Sequence, residues 1–231
     1  MGSRIDTQER LIEATQRLII EEGIETCSVE NICKRAGFTR GAFYSNFATK
    51  NSLLIMVAEA AYGRVITQLD EVVTRWRSAA GDDNLNLSAS SSMKRLIFEV
   101  FHTISFDKEL YILHSELTIR SIQDPEWGTR LLDVHAEFVN RLKLVFETIL
   151  AVTGRVATVD TLSLTHAIIG IAMRAASVAA WRHAVNDYGI AQDGLRPSNA
   201  PASKETIDGD GMAHDVSDMI LVLLDASSQV K

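Results

Sequence analysis

The stretch Ser28–Leu53, SVENICKRAGFTRGAFYSNFATKNSL, constrains this chain more than any other, because its helical spacing stops and restarts at capping residues. Val29, Ile32, Cys33 and Ala36 fall on one face of a short helix that begins at Ser28 or Cys27, and Gly37 suits the left-handed conformation that closes it. Thr39 is placed to cap a third helix running through Asn46, with Phe43 and Phe47 turned to a core, and Thr49 to cap a fourth that begins at Lys50. Upstream, Leu11, Ala14, Thr15, Leu18 and Ile19 predict a first helix over about 7–22, with Asp6 or Thr7 as N-cap and Gly23 as stop. Helix, glycine-containing turn, helix is the arrangement that lets a second helix stand in the DNA major groove while the first crosses the backbone.

Charge agrees with that arrangement without deciding it. From Asn31 to Leu54 the chain carries Lys34, Arg35, Arg40 and Lys50 and no acid, although the net charge of the whole is −7. A basic face on an acidic body suits a protein that touches phosphate at one end, and equally a solvated face with no partner. Three prolines, few aromatics and abundant Ala, Leu, Ile and Val in 231 residues argue for an all-α protein long enough to bury a proper core. Cys27 and Cys33, six residues apart on a helix, are poorly placed to bridge each other, and the expected compartment is the reducing cytoplasm. No signal-peptide pattern opens the chain. The most apolar later run, Ala167–Trp181, is read as broken by Arg174 short of a membrane span, so no membrane partner is expected.

The order Ala14, Leu18, Glu22-Gly23, Ser28-Val29-Glu30, Ile32, Ala36-Gly37, Gly41, Phe43-Tyr44, Phe47 and Lys50 resembles the N-terminal domain of the tetracycline-repressor (TetR) family of bacterial regulators. The resemblance implies a helix-turn-helix DNA-binding domain over 1–52 and a helical ligand-binding and dimerisation domain over 53–231. It also implies that Tyr44 and Lys50 touch phosphate, as family members use the matching positions. Residue chemistry points the same way. Gly41 lets the backbone approach DNA closely, Tyr44 offers a phenolic hydroxyl and Lys50 a charge. Arg40, Ser45 and Asn46 are the side chains expected at base edges, Arg suiting guanine and Asn adenine, with Thr39 on phosphate and Ala42 against a thymine methyl. Tyr44 has the alternative of a half-buried core aromatic. One departure stands out: the family commonly has a phosphate-binding Thr cap where this chain has Cys27, leaving Ser28 or Thr26 to substitute. Cys33 reads as a small buried hydrophobe.

Beyond the head, Leu53, Val57, Ala61, Val65, Leu69, Val72 and Trp76 predict one long connector helix. Further helices are expected over about 93–106, 108–121, 125–152 (started by Asp124-Pro125), 160–188 and 213–228, with polar loops at 78–92 and 189–211. Ala167, Gly170, Ala172, Ala175, Ala176, Ala179 and Ala180 let another helix approach 160–188 closely. With 213–228, this resembles the pair that builds the family's four-helix homodimer interface; intrachain core packing is the alternative. Phe98, Phe101, His102, Phe106, Tyr111, His114, Glu116, Trp127, Phe138, His166 and Met173 are candidates to line a site for a small, mainly apolar ligand, with ordinary core packing as the alternative for each. By analogy with the family, ligand binding would shift the helix near 108–121 and change the spacing of two heads on a palindromic double-stranded operator, most relatives being repressors.

Catalysis is not expected. Glu99 and His102 supply one Glu-x-x-His, whereas a helical di-iron site needs two, and no metal or cofactor is expected. His-Glu-x-x-His, glycine-rich phosphate loops and Gly-x-Ser-x-Gly are all missing from the sequence. A protein-binding helical adaptor is the other alternative, and it leaves the acid-free basic stretch and Gly41 without a purpose.

Overall fold

The computed structural model describes residues 4–79, 89–104, 108–187 and 209–230. Its helices are α1 (Arg4–Glu22), α2 (Val29–Ala36), α3 (Arg40–Asn46), α4 (Lys50–Ala79), α5 (Ala89–Ile104), α6 (Lys108–Gln123), α7 (Pro125–Val152), α8 (Thr161–Asp187) and α9 (Gly209–Ala226), with a 3-10 turn at Ile24–Thr26. A short ribbon joins β1 (Arg155–Ala157) to β2 (Ser228–Val230) in antiparallel register, Val156 facing Gln229. The expected all-α architecture therefore holds, with this ribbon as an unforeseen addition.

The capping residues act as their chemistry requires. The Ser28 hydroxyl oxygen accepts from the Asn31 N–H at 3.1 Å, Thr39 from Ala42 at 3.2 Å and Thr49 from Ser52 at 3.0 Å. Gly37 closes α2 at φ 73°, and Gly23 follows α1 at φ 86°, both in the region where only glycine is unstrained. Asp124 accepts from the Trp127 N–H and starts α7 at Pro125, and Asp160 starts α8 by accepting from Ser163 at 2.7 Å. That backbone bond is the main reason the Asp160 carboxyl lies below its usual range. Several boundaries differ from expectation. Because α1 begins at Arg4, Asp6 and Thr7 lie inside its first turn rather than capping it. Residues 78–79 extend α4, 89–92 open α5 and 209–211 open α9; the remainder of the two expected loops, and Phe106, lie outside the described residues.

The contacts gather into two compact units, Met1–Thr67 with Ile112–Asn140, and Gln68–Tyr111 with Arg141–Lys231. In the first, Leu11, Leu18, Ile19, Ile32, Phe43 and Phe47 form the core shared by α1, α2 and α3, joined by Leu53 and Leu54 of α4. Gln16, buried on α1, donates to the Val57 carbonyl and receives the Arg64 guanidinium, which ties α1 to α4. α6 and α7 meet so closely at Gly128 that a Cβ there would stand 2.6 Å from the Ser121 carbonyl oxygen.

In the second unit α9 packs on α5 and α8. Arg155 locks the ribbon by donating to the Ser228 hydroxyl, the Ser228 carbonyl and the Asp225 carbonyl. Along α8 the small residues divide. Ala172, Ala176 and Ala180 are buried, while Ala167 and Gly170 face outward on the same arc as Trp181 and Val185. The expectation that Arg174 ends the apolar run too early does not hold. Thr161–Arg182 is long and apolar enough to cross a membrane by length and composition, a test that helices packed in a protein core also pass.

Candidate nucleic-acid interface

The sequence candidates on α3 gather on one exposed surface. Arg40, Gly41, Tyr44 and Ser45 are exposed, Ala42 is half-buried, and Thr39 caps the helix at its base. Behind them Phe43 is fully buried and fixes the rotation of the helix. Tyr44 meets Phe43 edge to face at 5.2 Å and stays 51% exposed, so one side of the ring packs on the core while the rest faces solvent. A Cβ on Gly41 would meet nothing nearer than the Thr39 hydroxyl at 3.7 Å, so neither packing nor φ explains glycine at this position. Lys50 opens α4 beside a reciprocal cap in which Thr49 and Ser52 exchange backbone-to-hydroxyl hydrogen bonds.

Two of the expected base readers are occupied within their own helix. Ser45 donates its hydroxyl proton to the Ala42 carbonyl at 2.8 Å, leaving it as an acceptor. The Asn46 amide nitrogen donates to the same carbonyl at 2.8 Å and to Ser45, while its oxygen is buried without a partner. Reversing the amide would set oxygen against the Ala42 carbonyl, so the orientation is the chemically sound one. Asn46 must turn outward before it can pair with adenine. An open groove beside it is lined by Arg4, Thr7, Phe38, Ala42, Ser45 and Asn46, bringing the first turn of α1 next to α3, a neighbour not expected from the sequence.

The basic face is smaller than its residue count. Arg35 is paired with Glu21 and Glu22 at the end of α1, which leaves Lys34, Arg40 and Lys50 to face an anion. Arg10 lies 4.8 Å over the Phe38 ring and donates to the Ala36 carbonyl, bracing the turn between α2 and α3. The missing Thr at Cys27 is resolved locally. Ser28 caps α2, and Thr26 turns its hydroxyl to the Gly23 carbonyl. Ser28 and Thr39 accept with their oxygens as caps and keep a hydroxyl proton each to offer a phosphate. Cys27 is fully buried, and burial pushes its thiol up to about 11; burial also raises Cys33. Neither is suited to redox sensing, which favours exposed thiols of low pKa.

The ligand candidates divide between the two units. In the first, Tyr62 of α4, itself not foreseen, brings His114 and Phe138 together: its hydroxyl lies 2.6 Å from His114 Nδ1, and its ring 5.2 Å from Phe138. His135 completes the cluster 6.1 Å from His114. Burial keeps the Tyr62 phenol protonated, and its hydroxyl shares the hydrogen bond with His114 Nδ1, the direction being set by the His114 tautomer. Burial first, and His135 second, push His114 down to about 4. Trp127 is buried with its indole N–H unpartnered. Glu116 is turned to the head, where it accepts the Ile24 N–H. In the second unit Phe101 is buried and Phe98, Tyr111 and Met173 are half-buried, while His102 and His166 are exposed. Glu99 serves Arg75 and Trp76. Burial opposes its charge, but those hydrogen bonds outweigh it and hold the carboxyl below its usual range.

Comparison with known proteins extends this geometry. Residues 11–57 match the model of "Bacterial regulatory proteins, tetR family". The HTH-type transcriptional regulator BetI of Stenotrophomonas maltophilia is 38% identical over 76 residues, which are 33% of this chain and 37% of BetI. The matched stretch thus spans little more than a third of that relative. Over the full length the likeness is one of fold. A structure described as a TetR-family regulator from Mesorhizobium loti aligns with 100% of both chains at TM-score 0.67 and 15% identity. The regulator FadR of Bacillus subtilis, solved with stearoyl-CoA, covers 94% of this chain and 96% of its own at TM-score 0.60 and 18% identity. These relatives are transcriptional regulators, in agreement with the expectation that the chain is not an enzyme.

Proposed function

We propose that the chain is a regulator of the tetR family, whose model its residues 11–57 match, and that it acts as a ligand-responsive repressor binding a palindromic operator as a homodimer in the cytoplasm. The observation that carries the DNA reading is the exposed surface of Arg40, Gly41, Tyr44 and Ser45, standing on a capped helix that Phe43 holds from behind. Lys50, Tyr44, Thr39 and Ser28 contact phosphate and set the register, Gly41 lets the backbone close in, and Arg40, Ser45, Asn46 and Ala42 read the groove. The division of labour falls at residue 52, with 1–52 reading DNA and 53–231 carrying dimerisation and ligand response.

Dimerisation through about 160–188 and 213–228 is supported by the outward residues of α8 and α9. Trp181 is 70% exposed, Val222 69% and Met219 56%, and Gly170 has open space above it. Large apolar groups on adjoining helices of one unit favour burial against a second copy. The ligand is a small, mainly apolar molecule. Phe98, Phe101, Tyr111 and Met173 provide apolar walls, with His102 and His166 as polar contacts; His114 and Phe138 belong to a second aromatic group, and Trp127 is a further buried candidate. FadR of Bacillus subtilis was solved with stearoyl-CoA, of which only the acyl chain is apolar.

The test is a gel shift on the DNA upstream of the chain's own gene across a salt series. Binding that weakens steeply with salt supports the reading. Failure to shift any DNA at low salt overturns it.

A further inference from the structure

Two carboxylates hold the head at points that bracket its reading module. Glu116 on α6 accepts the backbone N–H of Ile24 at 2.9 Å, at the entrance to α2, although 92 residues separate them. Its Oε2 lies 3.8 Å from where a Cβ on Gly23 would stand, and Gly23 sits at φ 86°, so the backbone presents this amide through a glycine turn. Asp124, just past the end of α6, accepts the Asn51 side-chain amide at 3.3 Å, in the first turn of α4 and therefore just after α3. Asp124 is itself held by Arg120 at 3.1 Å and by the Trp127 N–H at 3.2 Å. All these bonds are part-buried, where salt screens them less than at the surface. Glu116 grips main chain, so its constraint passes directly into the path of the backbone entering α2.

We infer that Glu116 and Asp124 are positioning residues that fix how the recognition module stands on α6, and thereby make half-site spacing part of what the protein reads. The inference rests on the proposed dimeric reading of a palindrome and assigns Glu116 to the head rather than to a ligand. Two recognition helices on one face of the duplex must keep a separation matched to the helical repeat. A head freed at Ile24 spends more of its time at wrong separations, which weakens binding to the correct operator and relaxes rejection of misspaced ones.

The experiment measures binding of the full-length protein to its footprinted operator and to versions with one base pair inserted or removed between half-sites. Glu116→Ala is expected to lose roughly fivefold to tenfold on the natural spacing, the range of one lost hydrogen bond. It is also expected to lose a similar factor of its discrimination against the altered spacings, with an unchanged salt slope because no phosphate contact is removed. Glu116→Gln, whose amide oxygen still accepts from Ile24, restores both. Asn51→Ala tests the second anchor independently should Glu116→Ala fold poorly. Unaltered spacing discrimination in both alanine variants overturns the inference, as does an equal loss of affinity on every spacing, the mark of simple destabilisation. If the wild-type protein binds no DNA, the proposed function fails instead.

Discussion

Acidification gives a quantitative test of the cluster around Tyr62. In the folded protein His114 titrates at about 4 against an ordinary 6.5, because burial and His135 disfavour its charged form. A depressed histidine contributes stability that is complete above the unfolded value and is lost as pH falls from about 6.5 toward 4, because the unfolded chain takes up the proton first. At about pH 5 the linkage relation gives a loss of about 2 kcal/mol from this one side chain relative to pH 7.5. His114→Asn removes the titration, while its amide oxygen is still able to accept from the Tyr62 hydroxyl. Urea unfolding of both proteins at about pH 7.5 and 5, at one protein concentration because the proposed dimer would make stability depend on it, isolates the effect. The wild type is expected to lose about 2 kcal/mol more than the variant across that interval. Equal losses would show that His114 takes up a proton in the folded state as readily as in the unfolded one, and would refute the reasoning.

Lys50→Ala is expected to weaken binding to operator and to unrelated DNA alike and to lower the salt slope by about one, measured by fluorescence anisotropy across a salt series. Gly128→Ala drives a Cβ to 2.6 Å from a main-chain oxygen of α6, so helices must separate. A loss of about 1–3 kcal/mol in chemical denaturation is expected.

The head was legible because its information is local. Ser28, Thr39 and Thr49 each sit three residues before the N–H they satisfy, and Gly37 stands where α2 has to stop. Spacing of that kind survives in the sequence. The carboxylate anchors left no such trace, because Glu116 and Ile24 are distant in the chain and a lone acid on a helix looks like any solvated one. The ribbon was invisible for a related reason. Its strands have three residues each, too few for an alternating pattern, and Arg155 holds them to Ser228 and Asp225 across the length of α8 and α9. Arg174 misled in a different way: one charge in an otherwise apolar helix leaves Thr161–Arg182 long and apolar enough to pass a test of length and composition for a membrane span. Asn46 has the right chemistry for a base reader, yet its amide is drawn back to the Ala42 carbonyl by geometry that residue type alone does not carry.

Cys27 and Cys33 are the chain's two cysteines, and both lie in the core of the head. A thiol reagent present in solution therefore reaches them only when that core opens, and the remainder of the molecule contributes no signal. The rate at which such a reagent is consumed is a clock for local opening of the DNA-reading end, built into the native chain without any label.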